Sequence, residues 1–236
     1  MNKGGFENSI AFNLDLSPFI VYVELTKACD LVCLHCRAEA QPYPVRNELS
    51  TQEVFNLINR IKKFSNPPPA IVFTGGDPLK RPDLFKILHY SIHNNIRTCI
   101  APSVTPLLTY KAIDKFKEIG IARIGISLDG ADPQTHDKIR GIQGAYDKTI
   151  DIISYMDKIN ISLQINTSIM KLNVEELENL SGLLSQYKNI HMWSVFFLVP
   201  TGRGALLEDI SDIEYEKVFD ILYEVSKKYH YSVKTT

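Results

Sequence analysis

Residues 19–37 read Phe-Ile-Val-Tyr-Val-Glu-Leu-Thr-Lys-Ala-Cys-Asp-Leu-Val-Cys-Leu-His-Cys-Arg. An apolar, β-branched run (19–25) passes directly into a loop that carries Cys29-x-x-x-Cys33-x-x-Cys36. A strand followed at once by ligand-type residues puts them at the strand's C-terminal end, where parallel α/β sheets place their binding rim. Further strand-like runs occur at 70–74, 96–101, 122–128, 161–169 and 191–199. Each is rich in Ile, Val, Phe or Leu, which suggests strands buried on both faces of a parallel sheet. Between them the helical period predicts helices over 51–64, 82–94, 110–119, 146–159, 174–187 and 213–229, and a short one between Asp132-Pro133 and Arg140. Ser50 followed by Glu53 forms a capping box for the first. Six β-then-α units imply right-handed crossovers and an α/β fold with a parallel sheet and outer helices. Six are too few for a closed eight-stranded barrel and suit a partial (β/α)6 TIM-like barrel; a doubly wound open sheet is the rival.

The chain of 236 residues is long enough for one substantial core. The expected organisation is an N-terminal extension (1–18), a core domain (19–230), and a tail (231–236) resembling the start of another strand or connection, as if a C-terminal extension followed. A net charge of −1, from 26 basic and 27 acidic residues, supports neither a broad basic surface for nucleic acid nor a polybasic membrane anchor. No apolar run approaches the roughly 20 residues that span a bilayer. The N-terminus lacks the apolar segment of a signal peptide. Four cysteines, three of them clustered, argue against a secreted disulfide framework and for a reducing, cytoplasmic location. The fourth, Cys99, lies in an apolar stretch and is expected to be a small core hydrophobe.

Three thiolates are one short of a closed zinc site or an ordinary ferredoxin cluster. Zinc would need a fourth ligand, with His35 the nearby candidate. Covalent c-type haem requires Cys-x-x-Cys-His, and Arg37 follows Cys36. A thioredoxin-like Cys33-x-x-Cys36 pair leaves Cys29 without a role. A [4Fe–4S] cube held by three cysteines uses all of them and leaves one iron open.

The trio after a first barrel strand resembles the radical S-adenosylmethionine (SAM) superfamily. The context Leu-Thr-Lys-Ala-Cys-Asp-Leu-Val-Cys-Leu-His-Cys-Arg-Ala-Glu-Ala is similar to its branch of SPASM-type peptide maturases and haem-biosynthesis enzymes. The resemblance extends from about Ser17 to Gly204, making the core a radical SAM domain. It implies that Cys29, Cys33 and Cys36 ligate a [4Fe–4S] cluster and that the amino and carboxylate groups of SAM chelate the fourth iron. It places His35 near the adenine. Gly75-Gly76-Asp77-Pro78 resembles the family's Gly-Gly-Glu-Pro motif, which holds the SAM ammonium; here the carboxylate is one methylene shorter. Ser127 at the end of the fourth strand and Arg140 beyond it correspond to groups that approach the ribose and carboxylate. Asn166 in the fifth strand is placed to reach the ribose, and backbone at Val199, in the loop leading to Gly202-Arg203-Gly204, to meet adenine. Asp129-Gly130 also reads as a plain strand-end turn, and His136 as a surface or capping residue.

The activity implied is reductive cleavage of SAM to a 5′-deoxyadenosyl radical that abstracts hydrogen from a substrate. The expected substrate is a tetrapyrrole-type small molecule or a peptide, and the expected electron donor is external, such as flavodoxin or ferredoxin. With no cysteine after Cys99, a single cluster is expected. From another class comes the alternative of a non-catalytic iron–sulfur or zinc module for electron transfer or sensing.

Overall fold

A computed structural model describes residues 14–235. Residues 1–13 of the expected N-terminal extension lie outside the described residues, as does residue 236. The strands are β1 (Ile20–Glu24), β2 (Ala70–Thr74), β3 (Thr98–Ile100), β4 (Arg123–Ser127), β5 (Leu163–Ile169), β6 (Ile190–Phe197) and β7 (Ser232–Thr235). The helices are α1 (Thr51–Ile61), α2 (Leu84–His93), α3 (Tyr110–Glu118), α4 (Pro133–Arg140), α5 (Ala145–Lys158), α6 (Leu177–Leu184) and α7 (Asp212–Lys228). All strand pairs are parallel, and their spatial order is their sequence order, β1 to β7. A doubly wound sheet reverses its order at a switch point; this one does not, so every crossover turns the same way. The result is a curled half-barrel with outer helices. It has seven strands, one more than the six units counted from the sequence, because residues 232–235 pair with β6.

Burial on both faces, as the composition suggested, holds only for the middles of β4 (124–126) and β6 (193–195); the other strands are buried on one face at most. In β5, Leu163, Ile165, Thr167 and Ile169 are buried, whereas Gln164, Asn166 and Ser168 between them are partly open. The buried set faces the helices, where it joins Ile71, Phe73, Ile124 and Ile126 in one continuous core. The intervening set faces the hollow of the half-barrel. A sheet that does not close cannot fill its interior with its own side chains, as full barrels do, and a cavity of about 1320 Å³ occupies the space.

Local chemistry fixes the helix ends. Ser50 and Glu53 cap α1 reciprocally, as the sequence indicated. Asp132 accepts a hydrogen bond from the Thr135 N–H, Pro133 sits in the first turn of α4, and Gly141 closes that helix in a left-handed conformation. This short helix returns the chain to the cysteine loop.

Candidate active site

The loop after β1 is held from three directions. Cys29 N–H donates to Gln41 O (2.8 Å), and Gln41 N–H to Lys27 O (3.1 Å), closing the loop on itself. The turn after β2 docks beneath it: Gly76 N–H donates to Thr26 O and Asp77 N–H to Ala28 O, both at 2.7 Å. From above, Arg203 donates to Cys33 O and Ala40 O, each at 2.9 Å. Leu34 N–H reaches Ile139 O at the end of α4 (2.9 Å). Two glycines make these contacts sterically possible. A β-carbon on Gly76 would lie 2.5 Å from Ala28 O. One on Gly202, whose φ is +58°, would lie 2.6 Å from Cys36 O.

Cys29, Cys33 and Cys36 carry free thiols that open onto the same cavity. Each sulfur receives a donor: Leu31 N–H to Cys29 (3.4 Å), Ala40 N–H to Cys36 (3.4 Å), and Arg140 Nη1 to Cys33 (3.5 Å). At Cys29 burial is the larger influence and pushes the thiol's pKa up, opposed by the Ser103 hydroxyl and the Leu31 N–H. Among the described residues no three His, Cys, Asp or Glu side chains converge on a point suited to one metal ion.

Behind the thiols lies a buried charge network. Asp129, 1% exposed, meets Arg140 Nε at 3.1 Å and His35 Nε2 at 3.8 Å. Its other oxygen accepts the Ser168 N–H (2.8 Å), and its own N–H donates to His136 Nδ1 (3.0 Å). Burial alone would raise the Asp129 pKa; Arg140, His35 and His136 together outweigh it and hold the carboxyl below its usual range. Burial likewise opposes the charge on Arg140, but Asp129 and Cys33 overcome it and raise its pKa. His35 is held low by burial against the pull of Asp129. His136 is pushed down to about 4, chiefly by burial and then by Arg140.

The structure brings Gly75, Gly76, His35, Ser127, Arg140, Asn166 and Val199 to the wall of one cavity with the three cysteines. Asn166 accepts from Gln164 Nε2 (2.8 Å) on the same strand face. Asp77 lies behind that wall, fully buried; its carboxylate accepts from the Thr105 hydroxyl (2.7 Å) and Leu79 N–H (3.1 Å). Burial raises its pKa, with Thr105 opposing. Three sequence readings are corrected. Cys99 is not a core residue: it sits on the inward face of β3 and lines the cavity. His136 is buried rather than at the surface, because Asp129 N–H and Thr149 Oγ1 (3.4 Å to Nε2) enclose its ring. Asp129 is more than a turn residue. Arg203 and Ser103, whose hydroxyl reaches Gly76 O (2.9 Å) and Cys29 Sγ (3.5 Å), were not read as site residues at all. The only signal for Arg203 was a cation between two glycines, which reads equally as a solvated loop charge.

These donors fit a resident iron–sulfur cluster with SAM beside it. The fit rests on the chemistry of the donor set, three thiols on one wall; His35 and Arg203 line the same cavity, and their Nδ1 and Nη2 atoms are buried without partners. At about 1320 Å³ the cavity exceeds the usual 300–1,000 Å³ of single-ligand pockets, leaving space for a second molecule.

Residues 23–184 match the family model described as the Radical SAM superfamily. An AdoMet-dependent heme synthase of Methanosarcina barkeri is 34% identical over 220 residues, covering 93% of this chain and 62% of that protein. One from Nitratidesulfovibrio vulgaris is 37% identical over 215 residues, covering 90% and 58%. The chain thus spans about three-fifths of the length of these relatives. Among solved structures, Streptococcus suis SuiB bound to S-adenosylmethionine superposes with a TM-score of 0.79 at 16% identity, over 94% of this chain and 51% of that one. At that identity the likeness is one of fold: the same curled half-barrel.

Proposed function

Given that the chain belongs to the radical SAM superfamily, we propose that it is the catalytic core of an enzyme that cleaves SAM reductively and uses the resulting radical on a carboxylate-bearing tetrapyrrole. The carrying observation is that all three thiols of the β1 loop open onto one cavity, each with a donor on its sulfur. In this reading Cys29, Cys33 and Cys36 hold a [4Fe–4S] cluster, which when bound supplies the electron that splits SAM. The protein's own work is orientation and exclusion. Arg140, fixed by Asp129, presents a guanidinium beside the open side of the thiol trio, where a planar carboxylate can be gripped. The turn at Gly75 and Gly76 brings backbone close, and Ser127 and Asn166 offer polar groups from adjacent strands. His35 and Arg203 line the same wall beside the thiols.

Relatives named for haem synthesis, at 34 and 37% identity, support a tetrapyrrole over a peptide; a mycofactocin maturase is 25% identical. An external one-electron donor, of the flavodoxin or ferredoxin kind, completes the reaction. The test is anaerobic reconstitution, with iron and sulfide counted per chain and 5′-deoxyadenosine measured by mass spectrometry after reduction. Four irons per chain and 5′-deoxyadenosine are expected. A protein that binds no cluster, or whose cluster spectrum ignores SAM, refutes the reading and favours a non-catalytic metal module.

A further inference from the structure

The positive side chains of the cavity fall into two groups. Near the cysteine loop each is engaged: Arg140 with Asp129, Arg37 with Glu24, and Arg203 with two carbonyls. Toward the other end stand Arg97, just before β3, and Arg123, the first residue of β4; Lys234 joins them from the edge strand β7. No carboxylate among the described residues pairs with any of these three. Arg123 donates to the Ser162 hydroxyl (3.3 Å), and its Nη1 lies 3.9 Å from Met192 Sδ, a weak acceptor. Arg123 stands opposite Cys99 in the β3–β4 register, and Arg97 lies two residues before Cys99 on the same side of the chain, so the two arginines flank one stretch of the wall.

Unpaired cations lining a chamber attract anions. The wall around them is largely apolar, with Tyr22, Val72 and Pro68 exposed to the same space. Cations set in an apolar wall suit an amphiphilic organic acid better than a small inorganic anion. The distance is also informative. Arg123 and Ser127 are four residues apart on one strand, about 13 Å at a strand's rise. An acid held at Arg123 therefore leaves a body of that length reaching toward the cysteine end.

We propose that Arg97, Arg123 and Lys234 form a carboxylate-binding station that anchors the substrate at the end of the cavity away from the cluster and so determines which of its carbons faces SAM. The proposal rests on the reading of this cavity as a shared SAM and substrate chamber. These three side chains are specificity determinants and touch neither the cysteine loop nor its supports.

The test uses the reconstituted full chain, with coproporphyrin III as tetracarboxylate probe and its tetramethyl ester as uncharged counterpart, followed by absorbance and fluorescence titration. Arg123→Gln and Lys234→Gln are each expected to weaken binding of the acid about tenfold or more, to leave ester binding unchanged, and to leave iron content and substrate-free SAM cleavage at wild-type levels. Arg123→Lys, which keeps the charge, is expected to retain most of the affinity. Lys234 is exposed, so its substitution serves where Arg123→Gln fails to fold. Wild-type affinity in both glutamine variants, equal weakening of acid and ester, or no binding of the acid by a wild-type protein that cleaves SAM each overturns the proposal. Absence of SAM cleavage in the wild type instead refutes the functional reading on which it rests.

Discussion

Replacing Asp129 by asparagine preserves its shape and removes its charge. In the folded chain that charge faces Arg140 Nε at 3.1 Å, in a pair whose side chains are 1% and 11% exposed. The variant still accepts the Ser168 N–H, but Arg140 is left as a buried cation that keeps its side-chain hydrogen bond to the Cys33 sulfur at 3.5 Å. Breaking one side of a buried pair typically costs about 3–5 kcal/mol, because the surviving charge has lost both water and partner. Domains have about 5–15 kcal/mol in hand, so the loss is large without abolishing folding. With a urea dependence near 3 kcal/mol/M, the unfolding midpoint should fall by roughly 1–2 M. The assay is equilibrium urea unfolding of the metal-free, reduced chain, followed by tryptophan fluorescence; Trp193 is fully buried and reports the core. A double-mutant cycle with Arg140→Met isolates the pair. Asp129→Asn and Arg140→Met should each be destabilising alone, and the double variant should be less so than their sum by at least about 1.5 kcal/mol. A midpoint shift below about 0.3 M for Asp129→Asn, or strict additivity in the cycle, would refute the claim that this pair is the structural centre of the site.

Other outcomes follow from the same geometry. His136 has its pKa lowered from 6.5 to about 4, so the fold favours neutral imidazole. Its contribution, about 3 kcal/mol by linkage, is full above pH 6.5 and disappears as the pH falls through 4. Relative to wild type, His136→Gln should flatten the stability profile across that interval; parallel profiles would contradict the buried-neutral assignment. Gly76→Ala places a β-carbon 2.5 Å from Ala28 O and should displace the cysteine loop, seen as less than half the wild-type iron after reconstitution; normal iron would show that the docking of the two turns is slack. Cys29→Ala should lose both the cluster and SAM cleavage, whereas Cys99→Ser should keep both, since Cys99 lies on β3 and not in the loop. An active Cys29 variant would overturn the ligand assignment.

The sheet was legible in the sequence because the first six strands lie in segments rich in Ile, Val, Phe or Leu and the helices between them carry a helical period, with a capping box of Ser50 and Glu53 at α1. Composition did not reveal that strands such as β2 and β5 bury only one face. In β5 the partly open Gln164, Asn166 and Ser168 alternate with the buried Leu163, Ile165, Thr167 and Ile169, a two-residue period that Thr167, polar yet buried, obscures in the sequence. β7 escaped the strand count because Ser232–Thr235 is short and lies on the sheet edge, where burial demands little of its sequence. The cysteine loop, the paired glycines, Ser127 and Arg140 were recognisable as motifs. Asp129, His136, Ser103 and Arg203 were not, since each is an ordinary residue in a loop or helix whose significance arises only when distant segments meet.

Those missed residues share a role. Cysteine spacing specifies what can be ligated, but three thiols on a sixteen-residue connection from Thr26 to Gln41 would not hold a fixed geometry by themselves. Arg203 fastens the loop's carbonyls from β6's side, Ser103 reaches Cys29 from β3's side, and Asp129 aims Arg140 at Cys33 from β4's side. A ligand loop positioned from separate strands acquires the rigidity of the sheet that carries them, which is what supports a preorganised site. The unpaired cations belong to a different requirement. Beside the cysteine loop Arg140 is paired with Asp129 and Arg203 is bonded to two carbonyls, because an uncompensated buried charge would cost stability continuously. Farther along the cavity, Arg123 and Lys234 stay hydrated while the chamber is open, so they can remain unmatched at little cost until an acid displaces that water. On the proposed reading, the division between engaged and unpaired charge is where support of the cofactor ends and selection of the substrate begins.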